Sequence, residues 1–378
     1  MKLIFLLGSR GEWGYVSPII DRAIGAGHEV KICATNMSVL YEYGDLASKL
    51  HKSGSPIAFK ILSSVSGDTL SAMAKSIGLL ELSLVDYLQW ENPDWLILAG
   101  DRAEQLAGAI VGAYCYIPTA HIQAGERSGN IDGVARHAIT KLVHLHFASN
   151  QDAFERLVRM GEEEFRIHLT GAPQLDDISN ISIFSISELQ SNGIIQDGSD
   201  YFVACFHSDT NALQDSQIHI QNLIKAMQKI KYKSIWILPN NDSGGEQIKR
   251  LILSNLRIQD TTHNNLDRRT YISLLKHAKF IIGNSSSGIL EAPSLHLPAI
   301  NIGRRQDGRI QGANVLNVDG FDSDQIVRVV NEAVKIKASG FLESQPNPYG
   351  DGKSSDRILE TLEQTKITSE LLQKKISY

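Results

Sequence analysis

The sequence predicts an α/β protein built from two Rossmann-like, doubly wound domains that face a central cleft. Three observations carry that expectation. Short apolar runs alternate with amphipathic segments along the whole chain, as parallel sheets with crossover helices require. The alternation restarts once, after a polar stretch at residues 179–199. Glycine-bearing polar loops follow the apolar runs, where open parallel sheets bind their ligands. A length of 378 residues also exceeds what one hydrophobic core usually organises.

In the first half the apolar runs at 2–7, 29–34, 95–99, 119–123 and 144–148 read as strands. A helix is expected to begin near Ser17-Pro18, where serine caps and proline suits the first turn. Further helices fit 103–114 and 134–143. The second half offers strands at 201–206, 234–238, 280–282 and 299–302, with helices around 216–230, 246–256 and 271–277. The stretch 179–199, rich in Ser, Asn, Asp and Gly, is where a linker belongs. The expected extents are 1–180 for the first domain and 195–355 for the second. A helical pattern near the end places 356–378 as a helix packing back toward the first domain.

Composition narrows the function classes. With 42% hydrophobic and 21% charged residues the chain reads as an ordinary globular protein. A net charge of -5, spread over mixed signs, gives no basic footprint for nucleic acid. No apolar stretch approaches bilayer length, so no membrane partner is expected. The opening apolar run is too short for a signal peptide and fits a buried first strand. Cys33, Cys115 and Cys205 are odd in number and widely spaced, which suggests free thiols in a reducing compartment. The expected location is cytoplasmic.

Five loops carry candidate chemistry. Gly8-Ser9-Arg10-Gly11 follows the first strand; its glycines admit a close ligand and Arg10 can pair with phosphate, or the loop is a tight turn with a surface arginine. The loop lacks a GxGxxG fingerprint, so no nicotinamide cofactor is expected. Asp101, opening a helix after the strand at 95–99, is either a cap or a catalytic or binding carboxylate. Glu126 and Asp132 share a Gly-rich loop, and two carboxylates near cations can hold different protonation states, as acid/base work needs. The plainer alternative is Asp132 capping the helix and pairing with Arg136. Gly283-Asn284-Ser285-Ser286-Ser287-Gly288 offers amides and hydroxyls to a diphosphate at a helix start, and Glu291 could accept from ribose hydroxyls. Arg304 and Arg305 sit in a cationic loop after 299–302, while His207 and Asn240 lie in weaker polar loops. No spacing of ligands suggests a metal.

Together these strings resemble the hydrolysing UDP-N-acetylglucosamine 2-epimerases, the bacterial enzymes that begin sialic acid synthesis, and the epimerase half of their bifunctional animal relative. The resemblance covers nearly the whole chain; Asn284-Ser285-Ser286-Ser287-Gly288 and Arg136-His137-Ala138-Ile139-Thr140-Lys141 are its more specific anchors. It implies a fold like that of the two-Rossmann glycosyltransferases, a UDP-sugar substrate, no cofactor and a homodimer. By analogy Ser286, Ser287 and Gly288 meet the diphosphate with Arg10 reaching to it, and Glu291 holds ribose. His207, Asn240 and Arg305 line the nucleotide or sugar-phosphate region. Asp101, Glu126 and Asp132 match the acids around the sugar, although Gly133 stands where many relatives carry a second acid.

The implied reaction converts UDP-N-acetylglucosamine and water to N-acetylmannosamine and UDP through 2-acetamidoglucal. Three rivals remain. One is the same reaction on UDP-2,4-diacetamido-2,4,6-trideoxyglucose, on the way to legionaminic acid. The others are an inverting glycosyltransferase and a non-catalytic UDP-sugar-binding module.

Overall fold

The computed structural model describes residues 1–65, 70–127, 131–209, 212–239, 244–264, 266–375 and 377, leaving aside the side chains of 70, 131 and 132. The chain divides into two compact units, Met1–Asp177 with Tyr349–Tyr378, and Ile178–Pro348.

The first unit begins β1 (Lys2–Leu7), α1 (Arg10–Gly25), β2 (Glu29–Thr35), α2 (Leu46–Lys52), β3 (Ile57–Ile61) and α3 (Leu70–Glu91). It continues β4 (Trp95–Ala99), α4 (Ala103–Tyr114), β5 (Thr119–Ile122), α5 (Ile131–Leu142), β6 (Leu145–Ala148), α6 (Gln151–Arg159) and β7 (Ile167–Leu169). Its described strands form one parallel sheet in the order β3-β2-β1-β4-β5-β6-β7. Alternate residues of a strand point to opposite faces. Leu3, Phe5 and Leu7 therefore enter one core with α1, and Ile4 and Leu6 enter the other with α3 and α4. The order reverses between β1 and β4, so the loops after those strands flank a crevice at the carboxyl edge.

α1 starts at Arg10, a full two turns before the Ser17-Pro18 expected from sequence. The reason is a capping box: the Ser9 hydroxyl accepts from the Glu12 amide, and the Glu12 carboxylate accepts from the Ser9 amide. Pro18 consequently lies inside the helix.

The second unit runs α7 (Ile186–Ser191), β8 (Tyr201–Cys205), α8 (Leu213–Met227), β9 (Lys233–Ile237), α9 (Gly245–Leu253), β10 (Thr261–His263) and α10 (Arg268–His277). It ends β11 (Ile281–Gly283), α11 (Ser287–Ser294), β12 (Ala299–Ile302), β13 (Val315–Val318) and α12 (Ser323–Ser339). Its described strands give a second parallel sheet, β10-β9-β8-β11-β12-β13, with the reversal between β8 and β11. The doubly wound α/β class expected from sequence is what these two sheets show. α8, α9 and α12 close one face through Ile220, Leu223, Ile248, Ile326 and Val330. Right-handed crossovers leaving a reversal point in opposite directions lie on opposite faces, which puts α11 across the sheet from α8.

The chain then returns to the first unit as α13 (Ser354–Gln364) and α14 (Ser369–Leu372). α13 adds Ile358, Leu359 and Leu362 to the core that α1 lines. Asp176 receives the Ser354 and Ser355 amides, at 3.0 and 2.5 Å, fixing the helix start. Arg166, fully buried, donates to the carbonyls of Glu370 and Leu371 at 2.8 and 2.7 Å. Beyond α14, Lys374 pairs with the buried Glu162, which also meets Lys141 and His146. Burial would raise the Glu162 carboxyl, but His146 and Lys374 hold it down at about 2. No helix among the described residues is long and apolar enough to cross a membrane.

Candidate active site

In the first unit the three predicted loops converge because β1, β4 and β5 are neighbours in the sheet. Asp101 follows β4, and Arg136, on α5, clamps it at 2.5 Å. The Arg136 guanidinium is almost wholly buried and also donates to the Gln123 carbonyl at 2.5 Å, tying the β4 and β5 loops together. Beneath them His121 donates from Nε2 to the Gly100 carbonyl at 2.6 Å. Burial holds the His121 imidazole down at about 3, so at neutral pH this ring is an uncharged strut.

Glu126, buried, follows β5. Its Oε1 accepts from the Ser149 hydroxyl and from Asn150 Nδ2, the latter at 2.9 Å. Asn150 does double duty, because its Oδ1 also caps α6 by accepting from the Ala153 amide at 2.9 Å. Arg156 donates to the Gly125 carbonyl at 2.6 Å and pairs with Asp152. The carboxylate is thus oriented by the start of a helix as well as by its own loop.

The loop after β1 holds a second acidic feature. Glu12 Oε2 accepts from the Gly8 and Ser9 amides at 2.5 and 3.1 Å, and Glu104 packs on the other side of Gly8. Burial, with the nearby Glu104 carboxylate, pushes Glu12 up to about 8. Arg10 itself is exposed, its guanidinium beside Gly44 in the loop after β2.

In the second unit Asn284 organises the rim at the end of β11. Its side chain exchanges hydrogen bonds with the His207 backbone, accepting at 2.7 Å and donating at 2.8 Å. Its carbonyl receives Arg305 Nη1 at 3.1 Å and Gln306 Nε2 at 2.9 Å. The ends of β8, β11 and β12 are therefore bound into one surface. Gly283, at φ 135°, has to be glycine: an added Cβ would lie 2.0 Å from the Cys205 carbonyl oxygen. His207 Nε2 lies 3.3 Å from Cys205 Sγ. Burial works to raise that thiol, yet His207, Ser285 and Arg305 hold it below the ordinary range. Ser286 is the N-cap of α11, with Ser287 and Gly288 in its first turn. Glu291 pairs with Arg268 of α10 at 2.9 Å. Chemically, this rim presents a helix N-terminus and two cations, the first unit's rim oriented carboxylates. Among the described residues no group of three or more His, Cys, Asp or Glu is placed to hold a metal ion.

The pattern has known counterparts. A family model described as UDP-N-acetylglucosamine 2-epimerase matches residues 23–363. The chain belongs to that family. At the level the family defines, it is a UDP-sugar 2-epimerase. A relative from Legionella pneumophila, a UDP-N,N'-diacetylbacillosamine 2-epimerase (hydrolyzing), is 32% identical over 100% of this chain and 99% of its own. A UDP-N-acetylglucosamine 2-epimerase from Neisseria meningitidis serogroup B is 30% identical over 89% of this chain and 88% of its own. The fold matches the crystal structure of a Neisseria meningitidis UDP-GlcNAc 2-epimerase bound to UDP-GlcNAc, at TM-score 0.80 and 20% identity over 97% and 100% of the two chains.

In this epimerase-family chain, Asp101 and Glu126 stand on neighbouring strand ends of the first sheet, with Arg10 at the start of α1. Asp132 lies in the first turn of α5, its side chain outside the described residues, and Asn240 is outside them altogether. His207, Ser286, Ser287, Gly288, Glu291 and Arg305 all belong to the second unit. Sequence reasoning missed Ser149 and Asn150 as the holders of Glu126, Arg136 as the clamp of Asp101, and Arg268 as the partner of Glu291. A polar Ser-Asn pair just after the β6 run was the available signal for the first.

Proposed function

We propose that this chain is a hydrolysing 2-epimerase of a UDP-linked 2-acetamido sugar. The observation that carries the reading is the Glu126 carboxylate, buried yet held by Ser149 and Asn150, one strand away from an Arg136-clamped Asp101. Removing a proton from the sugar's C2 needs an oriented carboxylate, and expelling UDP from C1 needs stabilisation of the leaving diphosphate. Glu126 serves as the candidate base, with Asp132 or Asp101 as proton donor. Ser286, Ser287 and Gly288 at the N-terminus of α11, with Arg305, would hold the diphosphate, and Glu291, beside Arg268, the ribose, while Arg10 is the first unit's candidate phosphate cation. His207 and Asn240 complete the nucleotide region.

In the first step the C2–H and C1–O bonds break, UDP departs with the C1 oxygen, and a 2-acetamidoglycal forms. Water then adds: hydroxyl to C1, and a proton to C2 on the opposite face. The free 2-epimeric sugar and UDP are the products.

For the sugar itself, the full-length match to the Legionella enzyme favours UDP-2,4-diacetamido-2,4,6-trideoxyglucose. The second reading, UDP-N-acetylglucosamine, is favoured by the Neisseria relative. Incubating the purified chain with each sugar nucleotide in heavy water tests both the chemistry and the choice. The expected outcome is UDP release with a free, 2-epimerised sugar carrying deuterium at C2, faster from the diacetamido substrate. Sugar released without deuterium at C2 would show simple hydrolysis, and an epimerised product still joined to UDP would show a non-hydrolysing enzyme.

A further inference from the structure

The string Arg136-His137-Ala138-Ile139-Thr140-Lys141 serves two places. Arg136 clamps Asp101, whereas Thr140 and Lys141, at the far end of α5, meet the end of α6 and the segment after α14. Lys141 donates to the Met160 carbonyl, which closes α6, and to Glu162 at 2.9 Å. Lys374 donates to the Thr140 carbonyl at 2.5 Å and pairs with Glu162. That carbonyl is one of the last four of α5, which a helix leaves without an internal donor, and a cation there also meets the negative end of the helix dipole.

Glu162 is the centre of this junction. Its side chain is only 2% exposed and takes both lysines, with His146 Nε2 at 3.0 Å. Burial pulls the Lys374 ammonium down to about 8 while Glu162 opposes it, so the lysine is charged at neutral pH. The segment that carries Lys374 is fixed on both sides. Before it, Arg166 donates to the carbonyls of Glu370 and Leu371, and His144 hydrogen-bonds the Leu372 backbone. After it, the Ser377 amide donates to the Gly161 carbonyl at 2.8 Å.

The two helices whose ends meet here are the two that aim the candidate acids. α5 carries Arg136, and the Thr140 hydroxyl, one turn on, donates to the Arg136 carbonyl at 3.1 Å. α6 is capped by Asn150, which donates to Glu126, and its Arg156 donates to the Gly125 carbonyl. A helix is a stiff element, so a shift at one end is passed to the other. For a proton transfer, a misplacement of about 1 Å can cost about a hundredfold in rate. We propose that Lys374 is a positioning residue: by joining the ends of α5 and α6 through Thr140 and Glu162, it fixes the spacing of Asp101 and Glu126. Only the kinetic readout of this inference rests on the proposed reaction.

Amide hydrogen exchange of the full chain, read together with turnover, tests this on Lys374→Met, Glu162→Gln and the double variant. In Lys374→Met the amides of α5 and α6 should exchange about tenfold faster or more, while those of α2, beside β3 at the opposite edge of the sheet, stay as in wild type. Turnover, kcat, should fall about tenfold with KM and UDP affinity within about twofold, because the acids are misaimed and the diphosphate is assigned to α11. The double variant should be no worse than the worse single one, since both substitutions open the same junction. Leu50→Ala, a truncation of a buried α2 side chain, controls for general destabilisation: it should lower the urea midpoint and keep kcat. If wild type turned over no sugar nucleotide, the proposed reaction would fail while the exchange comparison still decided this inference. Unchanged exchange in α5 and α6, an equal loss of kcat in Leu50→Ala, UDP affinity falling in step with kcat, or additive losses in the double variant would each overturn it.

Discussion

The carboxyl edges of the two sheets are built on the same plan and furnished with opposite chemistry. Each sheet reverses its strand order after its first strand, and each presents loops from three adjacent strands at that point. In the first unit the candidate groups are carboxylates, and Asp101 is held by Arg136, Glu126 by Ser149 and Asn150. In the second unit the candidate groups are a helix N-terminus and guanidiniums, of which Arg305 is held by the Asn284 carbonyl and Arg268 by Glu291. The difference teaches where precision is needed. A base that takes a carbon-bound proton has to be aimed, so it is braced by several partners. A diphosphate is gripped by whatever amides and cations surround it, so the backbone conformation carries the specificity.

The contrast can be broken from either side. Glu126→Gln removes the candidate base while leaving its bracing intact, and turnover should drop about a thousandfold in a UDP-release assay. Turnover within a few-fold of wild type would move the base to another acid. Arg136→Met strips Asp101 of its clamp and breaks a largely buried ion pair; about 3 kcal/mol of stability should be lost, read as a lower midpoint in urea. An unchanged midpoint would mean that solvent already screens the pair. On the other side, Gly283→Ala drives a methyl against the Cys205 carbonyl, so about 2 kcal/mol and much of the UDP affinity should go together. Retained affinity in a destabilised variant would separate backbone shape from diphosphate binding.

The smallest effect concerns pH. Glu12 titrates at about 8 in the folded chain against an ordinary 4.5, so between those values the native state holds a proton that the unfolded chain has lost. Its contribution is full below about 4.5 and disappears as pH climbs through about 8, so stability should decline across that window. Glutamine mimics the protonated acid. In Glu12→Gln the thermal midpoint should change less between pH 5 and pH 8 than in wild type, and equal slopes would show that Glu12 ionises without penalty.

The parts of the fold legible in the sequence were its interior. β1, β4, β8 and β11 are buried on both faces and read as unbroken apolar runs. The strands missed were β3, β7, β10 and β13, and each is a sheet edge. Edge strands such as β3, with exposed Ala58, Phe59 and Lys60, carry no continuous run to detect. The start of α1 was misplaced because Ser17-Pro18 looks like a helix entrance, while the capping box at Ser9 and Glu12 sits within a Gly-rich loop. The long α3 is likewise not marked in the sequence, its apolar residues too evenly spread to define a face.

Of the candidate site, the strand-end loops were readable, because sheet topology alone decides where such loops gather. Their internal wiring was not. Arg136 and Asp101 stand 35 residues apart, and Arg268 and Glu291 stand 23 apart. Nothing in local spacing announces such pairs. The sequence pairs Arg136 instead with Asp132, one helical turn away.

The most direct test of a division between proton chemistry and nucleotide grip is to titrate UDP calorimetrically into Glu126→Gln and Arg305→Ala and to measure turnover of both. Glu126→Gln should bind UDP within about twofold of wild type while its turnover collapses, and Arg305→Ala should lose about tenfold or more in UDP affinity. The reverse pattern, with UDP affinity lost in Glu126→Gln and kept in Arg305→Ala, would contradict the account.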